Sequence, residues 1–208
     1  AYAMYAAQEI PQIDAEIAQK GHFLMETKRS LKQEENMNGI DMVAQLMAIS
    51  ATTAPKSRGE NYVQTLVLKG KILKKLADKM VAFGVKKNKK DFDRDGKNIL
   101  MSEAVLLIGL KKAKPLGLNC GACGYPDCKT LSKQKKKAVE FIGPICSFRL
   151  LDMGIALGSA VKTASMLNVD NRIMYRVGAV VRDMKMVDWE FVMGIPLSVT
   201  GKSIYFDR

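Results

Sequence analysis

The sequence predicts a layered domain of the α/β or α+β class, in which helices pack on a β-sheet. Two segments have the length and composition of strands. Residues 62–69 are rich in β-branched side chains and partly alternate, and residues 104–110 form an uninterrupted apolar run. Segments with apolar residues at helical spacing separate them along the chain. Strands that alternate with helices are typical of a sheet covered by helices.

Periodicity predicts seven elements: helix 41–50, strand 62–69, helix 71–83, strand 104–110, helix 154–167, helix 173–184 and strand 190–195. The uninterrupted run at 104–110 predicts a central strand, because a strand that is covered on both faces needs no polar alternation. Gly154, Gly158 and their small neighbours predict close packing of the helix that contains them. Residues 84–98 and 111–146 are expected to be irregular insertions.

Charge is unevenly distributed. The 208 residues include 33 basic and 21 acidic ones, a net charge of +12, which favours acidic partners. The lysine blocks at 86–90, 111–114 and 133–137 lack interleaved aromatic residues, so nucleic acid is disfavoured and an acidic redox protein remains as a partner. No secretory leader opens the sequence, and the longest uncharged stretch, 42–55, is too short for a membrane helix. We expect a cytoplasmic protein.

The four cysteines carry the clearest chemical signal. Cys120, Cys123, Cys128 and Cys146 have the spacing C-x2-C-x4-C-x17-C. Three clustered thiolates with one distant thiolate are typical of ferredoxin-like iron–sulfur sites. Glycines at positions 121 and 124 let backbone N–H groups approach the sulfur atoms. The sequence therefore predicts an iron–sulfur cluster on all four cysteines.

Two alternatives to iron–sulfur remain open. Structural zinc usually has two separated ligand pairs, whereas this chain has one C-x2-C pair and a distant lone histidine, His22. The other alternative is redox-active thiols or disulfides, of which disulfides fit poorly with an intracellular protein. Spacing alone does not fix the number of irons, because a similar short grouping holds two-iron clusters in plant-type ferredoxins.

The residues around the cysteines resemble the uncharacterised ferredoxin domain-containing proteins of bacteria and archaea. The likeness rests on the segment Asn-Cys-Gly-Ala-Cys-Gly-Tyr at 119–125 and extends over roughly residues 36–208. It includes the segments 53–59, 104–109, 152–161, 169–174, 194–203 and 206–208. The resemblance implies a 4Fe–4S cluster but no established reaction. Residues 1–35 match no family and are expected to form a helical extension, with 36–208 as one domain that carries the cluster insertion at about 111–146.

A second resemblance concerns a flavin. The segment Ala-Pro-Lys-Ser-Arg-Gly-Glu-Asn at 54–61, followed by a strand, is similar to the segment that lies over FMN in nitroreductase-like flavoproteins. This likeness implies a nitroreductase-like layered sheet, a homodimer, and a phosphate held by Lys56, Arg58, Lys202 and Arg208, since guanidinium and ammonium groups suit a dianion. The alternative is that residues 55–59 only shape a loop and the basic side chains are solvated.

Two further motifs are disfavoured. Gly201-Lys202-Ser203 resembles the end of a P-loop, but Pro196 stands where that loop needs glycine. Asp91 to Gly96 begins like a calcium loop, but its twelfth position is Ser102.

The predicted function is one-electron transfer through the cluster, alone or as an FMN-dependent oxidoreductase whose substrate the sequence does not indicate. The alternative is a non-enzymatic binding module in which a structural metal site, iron–sulfur or zinc, staples residues 111–146. A third interpretation is a basic nucleic-acid-associated protein.

Overall fold

The computed structural model describes residues 39–206, in which an antiparallel sheet separates two layers of helices. The helices are α1 Gly39–Thr53, α2 Lys71–Lys87, α3 Phe92–Leu100, α4 Cys128–Lys133, α5 Ser147–Met166 and α6 Tyr175–Asp183. The strands are β1 Val63–Lys69, β2 Ala104–Leu110, β3 Lys137–Ala138, β4 Ile142–Gly143, β5 Asp170–Asn171 and β6 Phe191–Ser198. A short 3₁₀ turn, Ser57–Gly59, precedes β1.

The main sheet has the strand order β1-β2-β6-β5, and every neighbouring pair is antiparallel. Leu110 is paired with Val63 on one side and with Phe191 on the other. The start of β1, the end of β2 and the start of β6 therefore meet at one end of the sheet, here called the Leu110 end. Strands β3 and β4 form a separate hairpin.

Strand β2 divides the core into two halves, as its apolar run predicts. Every one of its residues is buried. Leu106 and Ile108 face a cluster that includes side chains of α1 and α5, whereas Val105 and Leu107 face a cluster built from α2, α3 and α6. A strand that is buried on both faces exposes no side chains to water, so its residues are apolar without alternation.

The predicted start of the fifth element is wrong by seven residues. Helix α5 begins at Ser147 and not at Gly154, and its first turns bury two charged residues, Arg149 and Asp152. The charged pair interrupts the apolar pattern that sequence periodicity relies on, yet the two side chains neutralise each other within the protein.

The expectation of an irregular stretch at 84–98 is also wrong. Helix α2 continues to Lys87, with lysines in a last turn where the helix dipole favours cations, and α3 follows at Phe92–Leu100. Residues 92–96 of the calcium-loop motif are helical, and Asp95 is paired with Arg94 and Arg176. Gly96 lets α3 approach α2 closely, since a Cβ there would lie 3.1 Å from the Ala77 carbonyl oxygen.

Close packing at Gly154 and Gly158 is not found within the described residues 39–206, because a Cβ at either position would meet no atom within 4 Å. The close approach occurs instead between α6 and β6, where a Cβ on Gly178 would lie 1.7 Å from the Val192 carbonyl oxygen. The expected extension at residues 1–35 lies outside the described residues, and the domain assignment stays a prediction. None of the described helices has the length and apolar character needed to cross a membrane.

Candidate functional site

Residues 111–146, here called the cysteine segment, leave the sheet at its Leu110 end and contain little regular structure beyond α4 and the β3–β4 hairpin. Glu190, the residue before β6, anchors the segment at three points. Its carboxylate accepts from the Lys112 N–H at 2.6 Å and pairs with the Lys136 ammonium at 3.1 Å. The Glu190 carbonyl also accepts from the Ile142 N–H at 2.8 Å. The segment is therefore fixed to Glu190 on both sides of its first three cysteines.

Two hydrogen bonds draw the four cysteine positions together. The Asn119 side-chain oxygen accepts from the Cys128 N–H at 2.9 Å, which closes the first three cysteines into one loop. Ser147, next to Cys146, donates from its hydroxyl to the Ala122 carbonyl at 2.9 Å. The fourth cysteine position thus lies beside the turn that carries the first two. Gly121 and Gly124 have φ angles of +73° and +85°, which residues other than glycine rarely adopt.

The four thiols differ in burial. Cys120 is exposed, Cys123 and Cys128 are half-buried, and Cys146 is buried; all four are free of disulfides. Cys146 packs with Leu116 and Leu131 in a small cluster that Cys123 also contacts. Within residues 39–206, no three cysteine, histidine or carboxylate side chains are grouped closely enough to hold a metal ion. Two hydrogen bonds link the loops that carry the cysteines, and the donor set of four soft thiols fits zinc or iron–sulfur chemistry.

Helix starts support two of the cysteines. Cys128 opens α4, whose N-cap is Asp127; the Asp127 carboxylate accepts from the Thr130 N–H at 2.6 Å and from its hydroxyl at 3.0 Å. These hydrogen bonds hold the pKa of Asp127 below its usual value of 3.8. Cys146 is itself the N-cap of the 20-residue helix α5. The positive end of a helix dipole favours negative charge at such a position.

Arg149 lies at the site, although no sequence motif marks it. Its side chain is completely buried, yet it reaches three parts of the chain. Nε donates to the Lys114 carbonyl at 2.9 Å, and Nη1 donates to the Ser57 carbonyl and to the Asp152 carboxylate, both at 3.1 Å. Nη2 pairs with Glu60. The guanidinium also lies over the Tyr62 ring, 4.7 Å from its centroid.

Residues 55–61, here called the flavin loop, lie against the same helix. Ser57 donates to the Asp152 carboxylate from its N–H at 2.8 Å and from its hydroxyl at 2.7 Å. Arg58 has a φ of +58°, and its Nη1 lies 3.6 Å from the place that a Cβ on Gly117 would take. The structure therefore brings Arg58 beside the cysteine segment.

The other three residues predicted to hold the flavin phosphate are placed differently. Lys56 donates to three carbonyl oxygens at the end of α1, those of Ala51, Thr52 and Ala54, each at 2.7 Å. Burial lowers the pKa of Lys56, and the nearby Asp152 partly offsets this. Lys202 is exposed and follows the end of β6 that lies opposite the Leu110 end. Arg208 lies outside the described residues.

Comparison with known sequences identifies the family. The family model for uncharacterized proteins that contain a ferredoxin domain (DUF2148) matches residues 142–208, a region that includes Cys146. An uncharacterized protein of Archaeoglobus fulgidus is 46% identical over 170 residues, which span 82% of this chain and 92% of the relative.

Comparison with solved structures identifies the fold. The FMN-dependent nitroreductase of Mycobacterium smegmatis in complex with NADPH has a TM-score of 0.53 at 9% identity, covering 81% of this chain and 82% of that one. A nitroreductase of Lactococcus lactis in complex with nicotinic acid has a TM-score of 0.51 at 14% identity, covering 83% and 86%. At these identities the likeness shows the fold alone. The chain has a nitroreductase-like fold and belongs to the family of uncharacterized ferredoxin domain-containing proteins.

Proposed function

We propose that the chain holds a 4Fe–4S cluster on Cys120, Cys123, Cys128 and Cys146 and serves in one-electron transfer. The observation that carries this proposal is that all four cysteines of the chain fall in one segment, where the Cys128 N–H donates to Asn119 and Ser147, directly after the segment, donates to the Ala122 carbonyl. Membership of a ferredoxin-domain family supports the same donor set. Thiolates are the ligands that iron–sulfur clusters use.

The chain's own residues give the site an inner and an outer side. Cys146 lies on the inner side, with the apolar side chains of Leu116 and Leu131 around it to exclude water. Cys120 is exposed on the outer side, where an electron-transfer partner can approach. A bound cluster supplies reversible one-electron chemistry, and its potential depends on N–H groups near sulfur and on solvent exposure.

The fold supports FMN as a second group, which would make the protein an oxidoreductase. Arg58 is the predicted phosphate contact that lies beside the cysteine segment. A flavin exchanges electrons singly or in pairs, so it suits a neighbouring one-electron centre. Lys56 is less suited to a phosphate, because its ammonium already has three carbonyl acceptors.

An acidic electron-transfer protein is the partner that the charge favours. The cysteine segment holds eight lysines and two acidic residues, a net charge of +6, which is half of the chain's +12. Free thiols and a reducible cluster suit the cytoplasm, where disulfides rarely form.

One observation favours the alternative of a purely structural metal. The cysteine segment encloses only three buried apolar residues in its own cluster, and its one helix has six residues. So small a core gives little stability, and a metal staple would supply the rest.

The deciding experiment is an absorption spectrum of anaerobically purified protein before and after dithionite, with iron, zinc and sulfide counted on the same sample. We expect about four irons and four sulfides for each chain and a broad band that dithionite bleaches. Cys→Ser at each ligand removes the band, while Leu118→Ala, an exposed residue of the same loop, retains it. Zinc without sulfide would instead establish the structural alternative.

A further inference from the structure

The side chain of Arg149 lies between the two segments that are proposed to bind cofactors. On one side it donates to the Lys114 carbonyl, three residues before Gly117 in the cysteine segment. On the other side it donates to the Ser57 carbonyl and pairs with Glu60, both in the flavin loop. Its own backbone N–H donates to the Cys146 carbonyl at 3.0 Å. The Arg149 side chain thus contacts both segments, and its backbone N–H contacts the helix start that carries the fourth cysteine.

Burial makes these contacts dependent on one another. The Arg149 side chain is 0% exposed and that of its partner Asp152 is 4% exposed. A guanidinium is always charged, and a buried charge that loses one partner cannot turn to water for a replacement. Movement of either segment away from Arg149 would leave a buried donor unsatisfied. The two segments are therefore expected to hold or release their positions together.

The backbone conformation of the flavin loop depends on contacts from outside the loop. Arg58 and Gly59 follow each other with φ angles of +58° and +67°, a conformation that a non-glycine residue adopts only at a cost. Strained backbone of this kind persists where its surroundings determine it. Here Asp152 binds the Ser57 N–H and hydroxyl while Arg149 binds the Ser57 carbonyl.

We propose that Arg149 is a positioning residue that couples metal loading at the cysteines to ordering of the flavin loop. The coupling rests on the proposed metal site, because loading fixes the cysteine segment and Arg149 passes that restraint to residues 55–61. Coupling between two sites is reciprocal, so a ligand of the flavin loop also stabilises the loaded cysteine segment.

The test is hydrogen–deuterium exchange of the apo and the iron–sulfur-reconstituted protein, read on peptides that cover residues 55–61 and 111–118. Loading should slow exchange at 55–61 about fivefold or more in the unsubstituted protein, which is the lower end of typical coupling. Arg149→Gln should abolish this loading-dependent change, and Arg149→Lys, which keeps the charge but not the planar fork, should reduce it. Arg172→Gln is the matched control, since Arg172 contacts the Tyr205 carbonyl and the Phe206 ring elsewhere.

Each outcome bears on a separate claim. Persistence of the loading effect at 55–61 in Arg149→Gln overturns the coupling, even where iron binds normally. Failure of the unsubstituted protein to take up iron overturns the proposed function and the coupling to loading, and the apo proteins then test separately whether Arg149 positions both segments. In them, Arg149→Gln should speed exchange at 55–61 and at 111–118 together. A change confined to one of the two segments contradicts the proposal, and Arg149→Lys supplies the comparison if the glutamine variant does not fold.

Discussion

At the scale of single residues, Lys56 has its ammonium group satisfied by the backbone. The last turn of α1 leaves carbonyl oxygens without helical partners, and Lys56 donates to those of Ala51 and Thr52 and to that of Ala54 just beyond. Lys56→Ala should therefore lower the free energy of unfolding by about 1–2 kcal/mol, the usual range for charged hydrogen bonds near a helix end. Urea unfolding measures this change.

The control for Lys56 is an exposed lysine without such acceptors. Lys71→Ala at the start of α2 removes the same charge and should leave stability within about 0.5 kcal/mol. If Lys56→Ala leaves stability unchanged but weakens FMN binding, the helix-end role is wrong and the phosphate role is right.

Asp127 gives a prediction about pH. Hydrogen bonds from Thr130 lower its pKa below 3.8, so the ionised form is the one that the folded protein stabilises. Its contribution is complete above the unfolded pKa and is lost as pH falls through the lower folded value. Carboxyl NMR should show titration of Asp127 below pH 3.8, and the Thr130 amide shift should follow it. In Asp127→Asn the Thr130 amide shift should no longer change over this pH range. A change that persists would contradict the attribution of this titration to Asp127.

Sequence patterns revealed the cysteines but not the residues that place them. Four thiols with short spacing are visible in any reading of the chain, because few functions use that residue in that pattern. Arg149 and Asp152 were missed because charged residues are expected on a helix's exposed face. Their opposite charges at a separation of three residues were the available signal, since that spacing places both on one side of a helix.

At the scale of elements, the space around two glycines distinguishes a packed helix face from an open one. Gly178→Ala would force a Cβ to within 1.7 Å of the Val192 carbonyl, so α6 must move away from β6. Such overpacking costs about 1–3 kcal/mol or more. Gly158→Ala on α5 meets no atom within 4 Å and should stabilise the helix by about 0.5–1 kcal/mol. Thermal unfolding at low protein concentration compares the two, and equal effects would contradict the packing described here.

Element types followed from the sequence more reliably than element ends. The continuous apolar run of β2 and the spacing of α2 survive in the structure because local pattern and burial agree. Helix α3 was missed because its nine residues include four charges, with Asp95 buried only through its pairing with Arg94 and Arg176. Tertiary pairing of this kind leaves no periodic trace along the chain.

At the scale of the whole molecule, charge predicts how a redox partner binds. Lys133, Lys135 and Lys137 are exposed and form no ion pair within residues 39–206. Reversing all three to glutamate should slow reduction by a strongly acidic ferredoxin about tenfold or more at low salt, and added salt should shrink the difference. The control is reversal of Lys71, Lys74 and Lys75 on α2, which changes the net charge equally. Equal slowing in both variants would contradict a docking surface at Lys133, Lys135 and Lys137. Reduction by dithionite would still be evidence for the cluster.

The homodimer implied by the flavoprotein resemblance stays a proposal, and α5 offers a surface for it. Leu151 and Ile155 are 60% and 47% exposed, and Gly154 and Gly158 lie on the same face. This stripe is uncharged, so two copies of a chain with net charge +12 can meet there without placing like charges in contact. Small residues between apolar ones also let two helices approach closely.

Ile155→Glu should therefore convert a dimer into a monomer of 23.0 kDa, measured by light scattering, because it places a charge in the apolar contact. Val85→Glu on α2 is the control, since Val85 is 80% exposed on the other layer of helices. Within one chain, Arg58 precedes β1 at the Leu110 end of the sheet and Lys202 follows β6 at the opposite end, whereas between two copies that separation does not apply. If the unsubstituted protein is a monomer, Arg58 and Lys202 cannot contact the same phosphate. If Ile155→Glu loses FMN binding, the phosphate site needs residues of both copies.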